Sequence, residues 1–263
     1  MIASSEVLTA TTRGGLLELT LARPRALNSL NLELKDRLAE VLRAIAYDEK
    51  IRAVLITGEG RAFCAGGDVS EMDPNRSPEQ ARARQHKLLS EVFLPLARMP
   101  KPVVAAVNGH AHGAGLSLAL ACDVVVAGTS APMSFGYVHR GLTPDCGISY
   151  ILPRLVGMAR AKELLFTGRR FTGADAAVMG LVAEAVPDDE VVERARTCAR
   201  ELAQGATVAL ALTKRMLDQS THLGFDDFLE LEAYSQAITR STQDHAEGIA
   251  AFSEKRTAAF VGG

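Results

Sequence analysis

Apolar and polar positions alternate in short runs through the first two thirds of the chain and then settle into helical stripes. Leu16 to Leu21 (LLELTL) alternates and meets Arg23-Pro24, which predicts a strand and a turn. Leu32, Leu34, Leu38, Val41, Leu42 and Ile45 recur near a helical period and predict an amphipathic helix over 31–47. Arg52 to Thr57 (RAVLIT) reads as a short buried strand ending at Gly58, and a polar, arginine-rich stretch predicts a helix over 78–98. Pro100 and Pro102 open a strand from Val103 to Val107, and a helix of small residues leads to a strand from Asp123 to Val126. From Glu190 onward the pattern is helical, with an apolar stripe beside charge in 190–204, 206–219, 225–240 and 243–260.

This rhythm argues an α/β fold, its strands buried between helices. The expected organisation is an α/β core over 1–190 followed by a helical region over 191–263. Terminal helices with two apolar sides suit packing on a second copy of the chain, so a homo-oligomer is expected, with a monomeric helical cap as the plainer alternative.

Composition narrows the field. A chain of 263 residues with 48% hydrophobic residues buries a large core. The formal charge of −2 gives no electrostatic case for nucleic acid. Cys64, Cys122, Cys146 and Cys198 lie far apart without metal spacing and read as free thiols in a reducing compartment. The N-terminal MIASSEVLTA lacks the basic start and apolar run of a signal peptide, and no apolar window reaches membrane-span length. A soluble, cytoplasmic protein is expected.

Two glycine-rich segments follow buried strands. In RAFCAGGDVSEM, Gly66 and Gly67 leave their amides uncovered, and Asp68 with Glu71 has the form of a capping box that starts a short helix. In NGHAHGAGLSLALACD, Gly109, Gly113 and Gly115 free a loop ahead of the compact helix Leu116 to Ala121. Each helix start offers unpaired N–H groups, and two converging on one oxygen would stabilise an enolate. Tight turns with glycine for packing are the plainer alternative.

The stretches RALNSLN, RAFCAGGDVSEM, KPVVAAVNGHAHGAGLSLALACD, GLTPDCG, LPRLVG, FTGADAAVMGLV and HAEGIAAFSEKR, in this order from about residue 25 to 260, resemble the enoyl-CoA hydratase/isomerase (crotonase) family. Each motif is weak alone; the ordered set is specific. The resemblance implies a spiral of β-β-α units with a C-terminal helical region for oligomerisation, as a homotrimer or a dimer of trimers. It implies an acyl-CoA thioester substrate, with coenzyme A as part of the substrate and no separate cofactor. By the same resemblance, the Gly67 and Ala114 amides form the oxyanion hole. Arg25, Ala26 and Leu27 line the nucleotide and pantetheine of CoA, and Ala65, Gly66, Asp68 and Val69 run along the adenine and pantetheine. Phe252 and Lys255 match helix positions that reach CoA from a neighbouring subunit.

Hydratases of the family use two glutamates to hold a water, and the matching positions here carry Ser117 and Tyr137. A tyrosine, with an ordinary pKa of about 10, is a poor base at neutral pH. The acid that survives is Asp145 in GLTPDCG, which resembles the proton-shuttling aspartate of some family isomerases. A single carboxylate suffices for a 1,3-proton shift, so double-bond isomerisation is the expected reaction, with hydration as the alternative. A silent acyl-CoA-binding relative, thioester hydrolysis and an aspartate-nucleophile displacement are further alternatives. As a plainer role, Asp145 would cap a helix running from Cys146 to Leu155. His110 and His112 lack a third ligand at metal spacing, so no metal is expected. Gly115-Leu116-Ser117-Leu118-Ala119 fails as a nucleophile elbow, because Ser117 lies inside a helix well past the strand. Gly58-x-Gly60 fails as a dinucleotide fingerprint at Phe63.

Overall fold

The computed structural model describes residues 4–73 and 75–263; Met1–Ala3, the start of the N-terminal stretch considered above, lie outside them. Its elements are β1 (Leu8–Arg13), β2 (Leu16–Leu21), α1 (Leu32–Ile45), β3 (Ala53–Gly58), β4 (Ala62–Cys64), α2 (Pro78–Leu88), α3 (Leu94–Ala97), β5 (Val103–Val107), β6 (His110–His112) and α4 (Ala114–Leu120). After these come β7 (Val124–Gly128), β8 (Met133–Ser134), α5 (Ile148–Thr167), β9 (Arg170–Phe171), α6 (Gly173–Met179), β10 (Glu184–Val186), α7 (Val191–Ala203), α8 (Thr207–Gln219), α9 (Phe225–Arg240) and α10 (Gln243–Glu254).

The strands form two sheets, of order β1-β2-β3-β5-β7-β10 and β4-β6-β8-β9. Three successive turns of chain, β3-β4, β5-β6 and β7-β8, each give one strand to the first sheet and the next to the second. Helices follow each turn, so the expected β-β-α spiral is present. Both faces of the central strands β3 and β5 are buried, as their continuous apolar runs require, while the edge strand β1 is largely exposed. Val54 and Ile56 of β3 face the main core with Phe63, Met133 and Phe135. Ala53 and Leu55 face a second cluster with Val191, Ala195, Ala199 and Ala203 of α7. No helix is long and apolar enough to cross a membrane among the described residues.

Three expectations need correcting. The helix predicted over 78–98 is interrupted by a π turn at Leu89–Phe93. Pro95 enters just beyond it without an N–H, and the preceding amide of Leu94 bonds five residues back, to Leu89 O, so the wider turn absorbs the proline. The helix predicted over 243–260 ends at Glu254, where Lys255 turns left-handed at φ 53°. The tail then folds back: the buried Asp244 carboxylate accepts the Val261 and Gly262 amides, and Arg52 donates to Phe260 O and Gly205 O. The capping box at Asp68 does not close. Asp68 caps a single 3-10 turn, Val69–Glu71, while Glu71 accepts the Leu32 amide at the start of α1 and pairs with Arg84.

Candidate active site

The turn after β2 is wired through a buried asparagine. Asn28 accepts the Arg23 amide at 2.8 Å and donates to Glu59 O at 3.0 Å and Ala62 O at 2.7 Å. These bonds hold Leu27 and Asn28 in left-handed conformations and lay Leu30 beside the loop after β4. Leu30 bonds both neighbours of Gly67: its N–H donates to Gly66 O, and its carbonyl accepts the Asp68 amide. The Gly67 amide is thereby turned away from Leu30 and has no hydrogen-bond partner among the described residues.

The second loop meets the first closely. A Cβ on Gly66, whose φ is +97°, would lie 2.7 Å from His112 O and 3.5 Å from Ala114 N. A Cβ on Gly115 would lie 2.1 Å from Cys64 O, so α4 starts against the end of β4 only because that residue is glycine. Ala114 is the first residue of α4, and its amide is one of the unpaired donors of a helix start. Gly67 and Ala114 line one cleft of about 700 Å³ together with Ala65, Gly66, Asp68 and Asp145. Leu30, Leu32, Met72, Leu88 and Val92 give that cleft apolar walls, and Lys35, Arg76, Arg82 and Arg140 lie along it.

Asp145 does not cap α5. The helix starts at Ile148 behind Gly147, with no side-chain cap, because Cys146 (φ 56°) and Gly147 (φ 75°) both turn left-handed and lift the carboxylate away. Oδ2 accepts a hydrogen bond from Gln85 Nε2 of α2 at 2.9 Å, and Oδ1 is buried without a partner. The Tyr137 hydroxyl and the Cys146 thiol are both pushed up, first by burial and then by the Asp145 charge. Ser117, fully buried in α4, places Oγ 3.0 Å from the Tyr137 hydroxyl and donates to Gly113 O at 3.2 Å. A neutral hydroxyl pair thus sits beside the carboxylate.

Asp68 is occupied by its own loop. Ser70, Arg23 and Ser29 all donate to it and hold it well below the usual carboxylate range. Burial pushes the Cys64 thiol up to about 12. His112 contacts His110 at 3.3 Å and Ser134 Oγ at 3.0 Å, and burial together with His110 lowers its pKa to about 4. Among the described residues no group of three or more His, Cys, Asp or Glu comes together to hold a metal.

The sequence-predicted residues divide in space. Gly67, Ala114, Asp145, Ala65, Gly66 and Asp68 share the cleft. Arg25 and Ala26 lie in the 3-10 turn Pro24–Ala26, with Leu27 after it, and Val69 is 58% exposed; these four are outside the cleft wall. Phe252, 87% exposed, borders a separate hollow between α8, α9, α10 and the tail, with Lys255 just beyond it. Gln85 was not foreseen, since nothing in the polar run QARARQHK distinguishes it.

Comparison with known proteins assigns the family. Residues 11–263 match the family model described as enoyl-CoA hydratase/isomerase. The chain is 38% identical over 250 residues to 1,2-epoxyphenylacetyl-CoA isomerase of Escherichia coli (strain K12), covering 94% of this chain and 95% of that protein. It is 39% identical over 253 residues to the mitochondrial enoyl-CoA hydratase domain-containing protein 2 of Homo sapiens, covering 94% and 86%. The crystal structure of enoyl-CoA hydratase from Bacillus anthracis superimposes with a TM-score of 0.92 at 33% identity, covering 98% of this chain and all of that one. With a matched family model along nearly its whole length and the two-sheet spiral in place, the chain belongs to the enoyl-CoA hydratase/isomerase family.

Proposed function

We propose that the chain moves a carbon–carbon double bond in an enoyl-CoA thioester, with Asp145 as its single proton carrier. The observation that carries this reading is that Asp145, whose Oδ1 is buried without a hydrogen-bond partner, lines the same cleft as Gly67 and Ala114 with their free amides. The thioester oxygen takes the two amides. Asp145 removes a proton from the carbon beside the carbonyl of a 3-enoyl ester, and the electron pair spreads into a dienolate whose negative oxygen the amides stabilise. The same carboxyl then returns that proton two carbons farther along, leaving a 2-enoyl ester and the original carboxylate. Nothing is consumed and no water is needed.

Hydration asks for more than the site holds. Ser117 and Tyr137 are neutral hydroxyls bonded to each other, and neither supplies a carboxylate at the positions that the resemblance matches to the glutamates of the family's hydratases. The relative from Escherichia coli bears the name of an isomerase of an epoxide and the relative from Homo sapiens that of a hydratase domain, so the preference for isomerisation rests on the site residues. Arg25, Ala26, Leu27, Ala65, Gly66, Asp68 and Val69 are assigned to the CoA path, Asp68 by holding its loop in shape. Phe252 and Lys255 are assigned to CoA bound by a neighbouring copy, since their own chain places them away from the cleft. The test is incubation with 3-enoyl and 2-enoyl CoA esters, products being separated by chromatography and weighed by mass spectrometry. Conversion of the 3-enoyl ester without change of mass is expected; a hydrated ester as main product would refute the isomerase reading.

A further inference from the structure

Resting on that reading, the geometry points to Gln85 as the positioning residue that decides which oxygen of Asp145 carries the proton. The side-chain torsion of an aspartate carboxyl is broad and two-fold, so packing alone leaves either oxygen free to face the cleft. Here Gln85 reaches across from α2 and donates from Nε2 to Oδ2 at 2.9 Å, while Oδ1 remains buried and unpaired. Gln85 fixes one oxygen, and the other, which has no donor, is assigned to the substrate proton. A neutral amide suits this role, because a lysine or arginine in its place would pair with the carboxylate and hold it charged, weakening it as a base.

The helix that carries Gln85 buries none of its residues fully. Leu88 at its end packs against the core, and three polar contacts hold the rest of it to the body: Arg84 to Glu71, Lys87 to Asp36 at 2.8 Å, and Gln85 to Asp145. Of these three, only the last ends on the proposed base. The first two anchor α2 to the loop after β4 and to α1, and so place the amide. The π turn at Leu89–Phe93 then carries the chain back to the core, where Val92 and Phe93 are buried.

The experiment assays Gln85→Leu, Gln85→Asn and Asp145→Asn on a 3-enoyl CoA ester beside the wild-type protein. Amide hydrogen exchange over 78–88 is followed in Gln85→Leu and Asp145→Ala. Both Gln85 variants are expected to lower kcat by about tenfold with KM within about twofold, since a misaimed base costs rate more than binding. Asparagine fails with leucine because it is one methylene short. Exchange over 78–88 is expected to rise alike in Gln85→Leu and Asp145→Ala, each having lost the same bond. Unchanged kcat in Gln85→Leu, with Asp145→Asn inactive, overturns the role of Gln85 and leaves the aspartate standing. A fall in kcat matched by rising KM and lost thermal stability makes Gln85 merely structural and also overturns it. Full activity in Asp145→Asn, or none in the wild type, removes the aspartate reading and this inference with it.

Discussion

The hydroxyl oxygens of Ser117 and Tyr137 lie 3.0 Å apart, buried beside Asp145, at the positions that the family resemblance matches to the glutamate pair of hydratases. Burial, and after it the Asp145 charge, keeps Tyr137 protonated far above neutral pH, so it is a poor candidate for the base. In Tyr137→Phe the Ser117 hydroxyl keeps its bond to Gly113 O. The expected cost is about 1 kcal/mol of stability in denaturant unfolding, with kcat within about threefold of wild type. A loss of about a hundredfold in kcat would place Tyr137 in the chemistry instead.

The Ala114 amide can be removed without a side-chain change in the wall opposite. Ala114 is the first residue of α4, a position that tolerates proline, and the glycine before it (φ 50°, ψ −123°) has no Cβ to obstruct the ring. Ala114→Pro is expected to melt close to wild type while turnover falls by about 10²–10³-fold, as loss of one oxyanion donor does. Rates within a few-fold of wild type would mean that this amide does not hold the substrate oxygen.

His112 supplies a pH dependence of stability. Burial, helped by His110 and then by Arg170 and Arg140, lowers its pKa from 6.5 to about 4. The folded state thus favours neutral His112. Its contribution is fully present above 6.5 and erodes as pH falls from 6.5 through about 4. Melting temperatures measured across that window are expected to fall less steeply in His112→Gln than in the wild type. Parallel curves would show that another group titrates there.

Phe225, Tyr234, Ile249 and Phe252 on α9 and α10 are half or more exposed. With the hollow beside Phe252, this fits self-assembly through the C-terminal helices, as the family resemblance implies. Sedimentation velocity is expected to show a trimer, or a dimer of trimers, for the wild type and smaller species for Phe252→Asp. A wild-type monomer at micromolar concentration would contradict the assembly.

The parts legible in the sequence were those with a long period or an ordered motif. The runs at Leu16–Leu21 and Val103–Val107 and the stripe along α1 set strands and helix nearly to the residue, because burial of one face imposes a period on β2 and α1 and burial of both faces a continuous apolar run on β5. The second sheet was not legible: β4, β6, β8 and β9 have two or three residues each, too few to show alternation. The loops that carry the Gly67 and Ala114 amides were legible because glycine marks close backbone approach, and Gly66 and Gly115 lie at such approaches. Gln85 was hidden because its meaning lies in a partner 60 residues away. The end of α10 was hidden for a similar reason, since the tail is drawn back by Asp244 and Arg52 through tertiary bonds.

The central claim is that one carboxylate, Asp145, moves the proton while two backbone amides hold the charge. The most direct measurement is the rate of 3-enoyl to 2-enoyl CoA conversion by Asp145→Asn, with CoA-ester binding followed by thermal shift. Asparagine keeps an oxygen for the Gln85 donor and loses only the ability to carry the proton. The expected result is a rate lower by about 10²–10⁴-fold with the thermal shift retained; full activity in Asp145→Asn would contradict the account.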